Sequence, residues 1–343
     1  MKFRHGWPLN TAAIAVIAWM AGNAAVAQSN AQNSAGAPTI KVDCNKKGSI
    51  GATLAHLTQT GNTRGVTISV TGTCKENITI GAFDHLVIQG APTATIEDAS
   101  NGTAPVVLIF SSYDVIVQNF TINGGGTGVN CVGDSFCTLN FNTIQQSAGS
   151  GVRFARSHGI VQSNNILNNA GAGEVLANNS NLVSFSNQIT NNGAQGIAVV
   201  ANSYLLDSGD TIQNNNLAGI RAVENSVVRA DTLTISGNGT DGVHLESGAA
   251  LSFQGGDVIT GNAGNGVAVH DLAFAEFATD GSENISGNLT QPDVACYPQF
   301  SATRGAGTVG GTNHQLHRAQ LAGTEEIVRA QVHRASARSH GQR

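Results

Sequence analysis

The chain has 343 residues, with 17 Lys+Arg against 22 Asp+Glu and a formal net charge of −5. Only 11% of its residues are charged and 5% aromatic, while glycine occupies 42 positions. That balance argues against a nucleic-acid or anionic-membrane binder and against a coiled coil, and the Val and Ile content argues against a disordered chain.

The N-terminus reads as an export signal. Lys2 and Arg4 make a basic start, and residues 11–22 form an apolar stretch too short to span a bilayer. Ala25-Val26-Ala27 forms a small-residue cleavage site before Gln28. Loss of residues 1–27 removes two cations, so the formal charge goes from −5 to −7. The mature chain is expected in the periplasm or outside the cell. No later stretch approaches the length of apolar sequence a membrane span needs, so none is predicted.

Residues 28–40 are assigned to a linker and 41–65 to an N-terminal segment. Within the latter, "SIGATLAHLTQTGNTRG" (49–65) places Ile50, Leu54 and Leu57 on one helical face. Cysteines in an exported chain suggest disulfides. Cys44 and Cys74 end two similar apolar runs, and Cys131 and Cys137 enclose a short loop, which makes these four the bridge candidates and leaves Cys296 over. The connectivity itself does not follow from the sequence.

From about residue 66 to 289 the chain repeats. Gly128, Gly151, Gly173, Gly196, Gly219, Gly242 and Gly266 recur at spacings of 23, 22, 23, 23, 23 and 24. A column of Ile from Ile122 to Ile259 and a column of Asn from Asn169 to Asn262 move with them. Within each unit apolar residues alternate with period two, as in Ile197/Val199 and Val243/Leu245, which is a strand signature. No unit holds a long helical stretch, and the Leu-x-x-Leu-x-Leu phrase of leucine-rich repeats is missing. Short strands separated by Asn/Gly corners fit one turn of a β-solenoid per repeat. Asn tolerates the left-handed backbone that a corner needs, and stacked Asn amides about 4.8 Å apart would hydrogen-bond along the column.

Asn-x-Ile-x-Asn-Asn-x-x-x-Gly-Ile in tandem resembles the right-handed parallel β-helix repeats of the pectate-lyase-like superfamily, in particular bacterial carbohydrate-binding and sugar-hydrolase types. The resemblance covers about residues 66–289 and implies an all-β, single-stranded solenoid of roughly ten coils. Residues 49–65 are then expected to form the helical cap that closes its N-terminal edge. Residues 290–343 lose the periodicity and are expected to form a C-terminal cap or loose tail, with four His and five Arg but only two acids from residue 314 on.

Catalytic phrases of the resembled families transfer poorly. Ser157-His158-Gly159 is a fragment of the polygalacturonase-like Gly-His-Gly, no Asp-Asp occurs, and the epimerase-like Asp-Pro-His-Asp is absent. Glu97-Asp98 has no Arg beside it to suggest a pectate-lyase-like calcium site. "GGTGVN" (125–130) imitates a single calcium nonapeptide, but such motifs work in tandem. His314 and His317 have no supporting ligand pattern. No cofactor is evident, with calcium left open.

Chemistry is therefore sought on an exterior sheet, where outward side chains of successive coils stand together. With Ile220, Val243 and Val267 inward, Arg221 falls beneath His244 and Glu246 beneath His270, with Asp241 and Asp271 nearby. Glu246, His270 and His244 are the catalytic candidates, Glu246 with His270 as an acid/base pair. Arg221 and Asp271 are the substrate-binding candidates, Arg221 as a clamp for an acidic sugar. Glu174 occupies an inward column, and a one-residue bulge is expected to swing it outward, because an unpaired buried carboxylate is costly. Two functions fit. One is an exported protein that interacts with extracellular polysaccharide and, as an enzyme, cleaves it by lyase or hydrolase chemistry. The other is a non-catalytic surface or envelope protein acting as a spacer or adhesion stalk.

Overall fold

The computed structural model describes residues 38–297 and 302–304. The export signal (1–27), most of the linker, and the tail with His314 and His317 lie outside the described residues. Every strand pairing is parallel and links one coil to the next. A ten-stranded sheet runs from Ile78–Gly81 to Val294–Cys296, one strand per coil. The rest of each coil belongs to a 19-stranded sheet that wraps the other faces. The chain is a right-handed parallel solenoid of about ten turns, all-β apart from its N-terminal helical segments.

The inner columns are those expected. Ile144, Ile166, Ile189 and Ile212 pair in register and are fully buried. The glycine column exists for space rather than backbone freedom. A Cβ on Gly196 would lie 2.3 Å from the Ile212 methyl and 2.6 Å from the Gly219 carbonyl oxygen of the next coil. The expected asparagine amide ladder forms, but the corner falls on a different residue. The left-handed corner residues are Asn168, Asn191 and Asn214, with φ of 55°, 57° and 55°, one position before the buried column. The column itself is kept for its amides. Asn192 donates from both its backbone N–H and its Nδ2 to Asn215 Oδ1, each at 3.0 Å, and Nδ2 also reaches the Ile166 carbonyl at 3.0 Å. The same pattern repeats upward until Asn288 donates to Asp293. A second ladder climbs from Asn142 through Asn164 and Asn187 to Asp210.

The helix Ile50–Thr60 buries Ile50, Leu54 and Leu57 against the first coils, as a cap requires. Ser49 caps its N-terminus, and the Glu76 carboxylate accepts hydrogen bonds from the Ile50 and Gly51 N–H groups at 2.7 and 3.0 Å. Stacking starts earlier and ends later than the repeat count suggested. Thr39–Asp43 pairs with Arg64–Lys75, and Val294–Cys296 pairs with Val267–Val269. Disulfides Cys44–Cys74 and Cys131–Cys137 both form. Among the described residues no helix is long and apolar enough to cross a membrane.

Glu174 corrects the bulge expectation. It pairs in unbroken register between Val152 and Ile197 and points inward, fully buried. Among the described residues no hydrogen bond reaches either of its carboxyl oxygens, and burial, with the Asp210 charge second, pushes its carboxyl well up. Asp207 and Asp210 are also fully buried and pushed up, foremost by burial, and burial raises Asp257 to about 7. Burial disfavours the charged form, so these interior carboxyls keep their protons to higher pH than exposed ones do.

Two outcomes follow from this interior. Asn215→Ala leaves the Asn192 N–H and Nδ2 without their acceptor and Asn238 Oδ1 without its Nδ2 donor in a buried column. It is expected to cost about 3 kcal/mol in urea unfolding, whereas Ala at exposed Asn216 costs under about 0.5 kcal/mol. The buried acids have folded-state pKa values raised above their unfolded ones. Their contribution is therefore whole below about pH 4 and is lost as pH rises, for Asp257 through about 7. Denaturation midpoints should fall from pH 5 to pH 8, and Asp257→Asn should flatten that fall.

Candidate functional site

The last strands of the ten-stranded sheet are Ile220–Ala222, Val243–Leu245, Val267–Val269 and Val294–Cys296. Alternation turns Ile220, Val243 and Val267 inward, so Arg221 and His244 face out in register with each other. Glu246, His270 and Tyr297 follow their strands at equivalent positions. Their N–H groups donate to Ala222, Leu245 and Val269 carbonyls of the preceding coil at 3.1, 2.8 and 2.9 Å. Backbone ladders thus build two adjacent outward columns.

The candidates Arg221, His244, Glu246 and His270 are brought together, but their pairing differs from the expected one. Glu246 is ion-paired to Arg221 and lies 3.6 Å from His244 Nε2. His244 Nδ1 is 2.8 Å from Asp241 Oδ2, whose other oxygen accepts the Asn265 N–H at 2.8 Å. His270 stacks between two rings: on His244, with centroids 4.7 Å apart, and on Tyr297, 4.1 Å apart and 6° from parallel. Tyr297 donates its hydroxyl to Asn265 Oδ1 at 2.8 Å. Asp271 is exposed at the strand end and acts on the group through its charge on His270.

The environments drive these groups apart. The hydrogen bond to Asp241 raises His244 above the usual imidazole range, against the effect of burial. Burial, aided by the His244 charge, lowers His270. For Glu246 burial acts upward, yet Arg221 and His244 outweigh it and hold the carboxyl low. The two stacked imidazoles are thus driven in opposite directions, His244 toward holding its proton and His270 toward losing it, with the Glu246–Arg221 ion pair beside them. Charges converge here instead of pointing apart, as those of a merely soluble surface would.

Tyr297, Asn265 and the anchoring use of Asp241 were not foreseen. The coil between Val267 and Val294 spans 27 residues, which breaks the 22–24 spacing and hid Tyr297 from the repeat count. Extending the outward column through the next apolar pair, Val294/Cys296, was the signal available. Among the described residues the grouping of metal-type ligands is Cys44, Cys74 and Glu76. Its sulfurs are bridged and its carboxylate serves the cap helix, so it does not fit an ion.

Residues 52–217 match the family model described as "Right handed beta helix region". No curated protein matches the chain by sequence. Among solved structures, the chain is similar to the Azotobacter vinelandii mannuronan C-5 epimerase AlgE4 A-module, at 15% identity and TM-score 0.56, covering 75% of this chain and 90% of that one. The AlgE6 A-module of the same organism aligns at 16% identity and TM-score 0.53, over 77% and 95%. A variant of the periplasmic alginate epimerase AlgG aligns at 14% and 0.52, over 70% and 77%. The coil-to-coil parallel pairing, the inward Ile and Gly columns and these likenesses agree: the chain folds as a right-handed parallel β-helix.

Proposed function

We propose that this protein is exported and binds an extended acidic polysaccharide along the outer surface of the ten-stranded sheet, where it moves a proton on a uronate unit. The observation that carries this is the stacked pair of imidazoles, His244 and His270, whose surroundings push their proton affinities in opposite directions. Such a pair supplies a base and an acid side by side. Export is supported by the two disulfides and the N-terminal signal pattern. The epimerase titles of the structurally similar proteins, mannuronan and alginate, make an acidic sugar polymer the substrate class to test first.

Hydrolysis fits less well than proton abstraction. A glycosidase needs one carboxyl kept protonated as general acid. Here Glu246 is held ionised and Asp241 is committed to His244 and Asn265. For abstraction, neutral His270 takes the proton from the carbon next to the sugar carboxylate. The electron pair moves into that carboxylate, whose added charge faces cationic His244 and the Arg221 donors that Glu246 leaves unused. Collapse with loss of the 4-linked oxygen, which takes a proton from His244, gives an unsaturated end, and a proton from solvent added to the opposite face, with His270 losing its own to solvent, gives an epimer. Tyr297 orients His270 by stacking.

In D2O, polymannuronate or polygalacturonate should gain carbon-bound deuterium, with or without unsaturated ends. His270→Ala should lower that rate about 10²–10⁴-fold with little effect on binding, while Arg221→Ala weakens binding. Binding without deuterium uptake would instead favour a non-catalytic surface or adhesion protein. The rate needs His270 neutral and His244 protonated. It should hold across the ordinary imidazole value of 6.5, falling on the acid side as His270 protonates and on the alkaline side as His244 loses its proton. NMR titration should resolve the two rings on either side of 6.5, and Asp241→Asn should bring His244 down.

A further inference from the structure

The 19-stranded sheet has an outer face of a different character. On the coils carrying Phe136–Asn140, His158–Gln162, Asn181–Phe185 and Tyr204–Ser208, alternate residues point outward in register. None of the twelve outward positions is Asp, Glu, Lys or Arg. The face ends where charge begins, at Arg229 and Asp231 on the next coil.

Its outward columns are ordered by type. The first holds Phe136, His158, Asn181 and Tyr204, and the Tyr113 ring packs on Phe136 at 5.8 Å. Tyr113 is 61% exposed and Tyr204 38%. His158 takes a hydrogen bond from Asn181 Nδ2 at 3.0 Å, which fixes its ring upright beside them. The second column runs Thr138, Ile160, Val183, Leu206, with Ile160 and Val183 half-buried. The third is rich in amides: Gln89, Gln118, Asn140 and Gln162, with Gln118 donating to Gln89 at 3.0 Å. Beyond Tyr113 the row opens into a cleft of about 530 Å³ lined by Asp84, Ser111, Ser112, Tyr113 and Asp134 among others.

The geometry points to a second binding face, separate from the reaction site, for a neutral polysaccharide. Aromatic π-faces attract the polarised C–H groups of a sugar ring, and the second column adds apolar surface beneath it. The amides and serines offer paired donors and acceptors to hydroxyls. An acidic polymer finds no cation among the twelve positions, and the Arg64 guanidinium beside the cleft is taken up by Asp84 at 2.9 Å. From Tyr113 to Tyr204 the row spans four strand spacings, about 19 Å, long enough for several sugar units.

Affinity electrophoresis of the full secreted chain in gels containing glucomannan, xylan or hydroxyethylcellulose tests this. At least one neutral glycan should retard the wild type. Tyr113→Ala with Tyr204→Ala should weaken that binding about tenfold, while the double Phe variant keeps it. Arg221→Ala should leave retardation in the neutral gels unchanged while weakening binding to polyuronate, so the two sites fail independently. No retardation by any neutral glycan, or full retention by the double Ala variant, overturns the assignment. So does a wild-type dimer in sedimentation that the double Ala variant dissolves, which would make a second copy of the chain the occupant.

Discussion

Everything in this molecule follows from one constraint: each coil must satisfy its hydrogen bonds with the coil above and below. Parallel backbone pairing does this along the strands. At the corners, where strand pairing lapses, buried asparagine side chains take over. Each accepts from one neighbour and donates to the other, so a whole column is satisfied except at its ends. Register then becomes rigid, because a slip of one residue would empty every rung at once.

Rigid register sorts chemistry by surface. Outside the ten-stranded sheet it aligns Glu246, His270 and Tyr297, and the columns deliver rings and ions close enough to shift one another's protonation. Inside, the same register forces Glu174 into the lumen, where it can persist only as an acid among acids. On four coils of the 19-stranded sheet, from Phe136 to Ser208, it leaves the outward positions without ions. One spacing thus yields a charged face, an uncharged patch and an interior whose acids resist ionisation.

Much of this was legible in the sequence. The Gly, Ile and Asn columns give the coil length, and coil length places Arg221 beside His244 without any coordinates. Both disulfides join the cysteines whose positions suggested neighbours. What escaped depends on side-chain direction rather than position. Period-two alternation says that His244 and His270 face outward, but not that their rings lean diagonally into a stack. Glu174 was misjudged because burial cost was weighed for an ionised carboxylate, while burial and Asp210 of the next coil push its carboxyl toward the neutral form. The left-handed residue was misplaced by one position because consecutive asparagines look alike in sequence and divide the work in space: one bends the chain, the next bonds along it.

The two amide ladders both finish on a carboxylate, Asp210 in one and Asp293 in the other. Because every rung points its donors the same way, each column has a direction, and aspartate, which lacks an amide to pass onward, acts as a full stop. A copied middle coil would inherit a rung open at both sides. Past Asp293 the strands still pair with the coil before them, Ala302–Arg304 with Phe274–Glu276, but the amide column does not go with them, so the backbone outlasts its own punctuation.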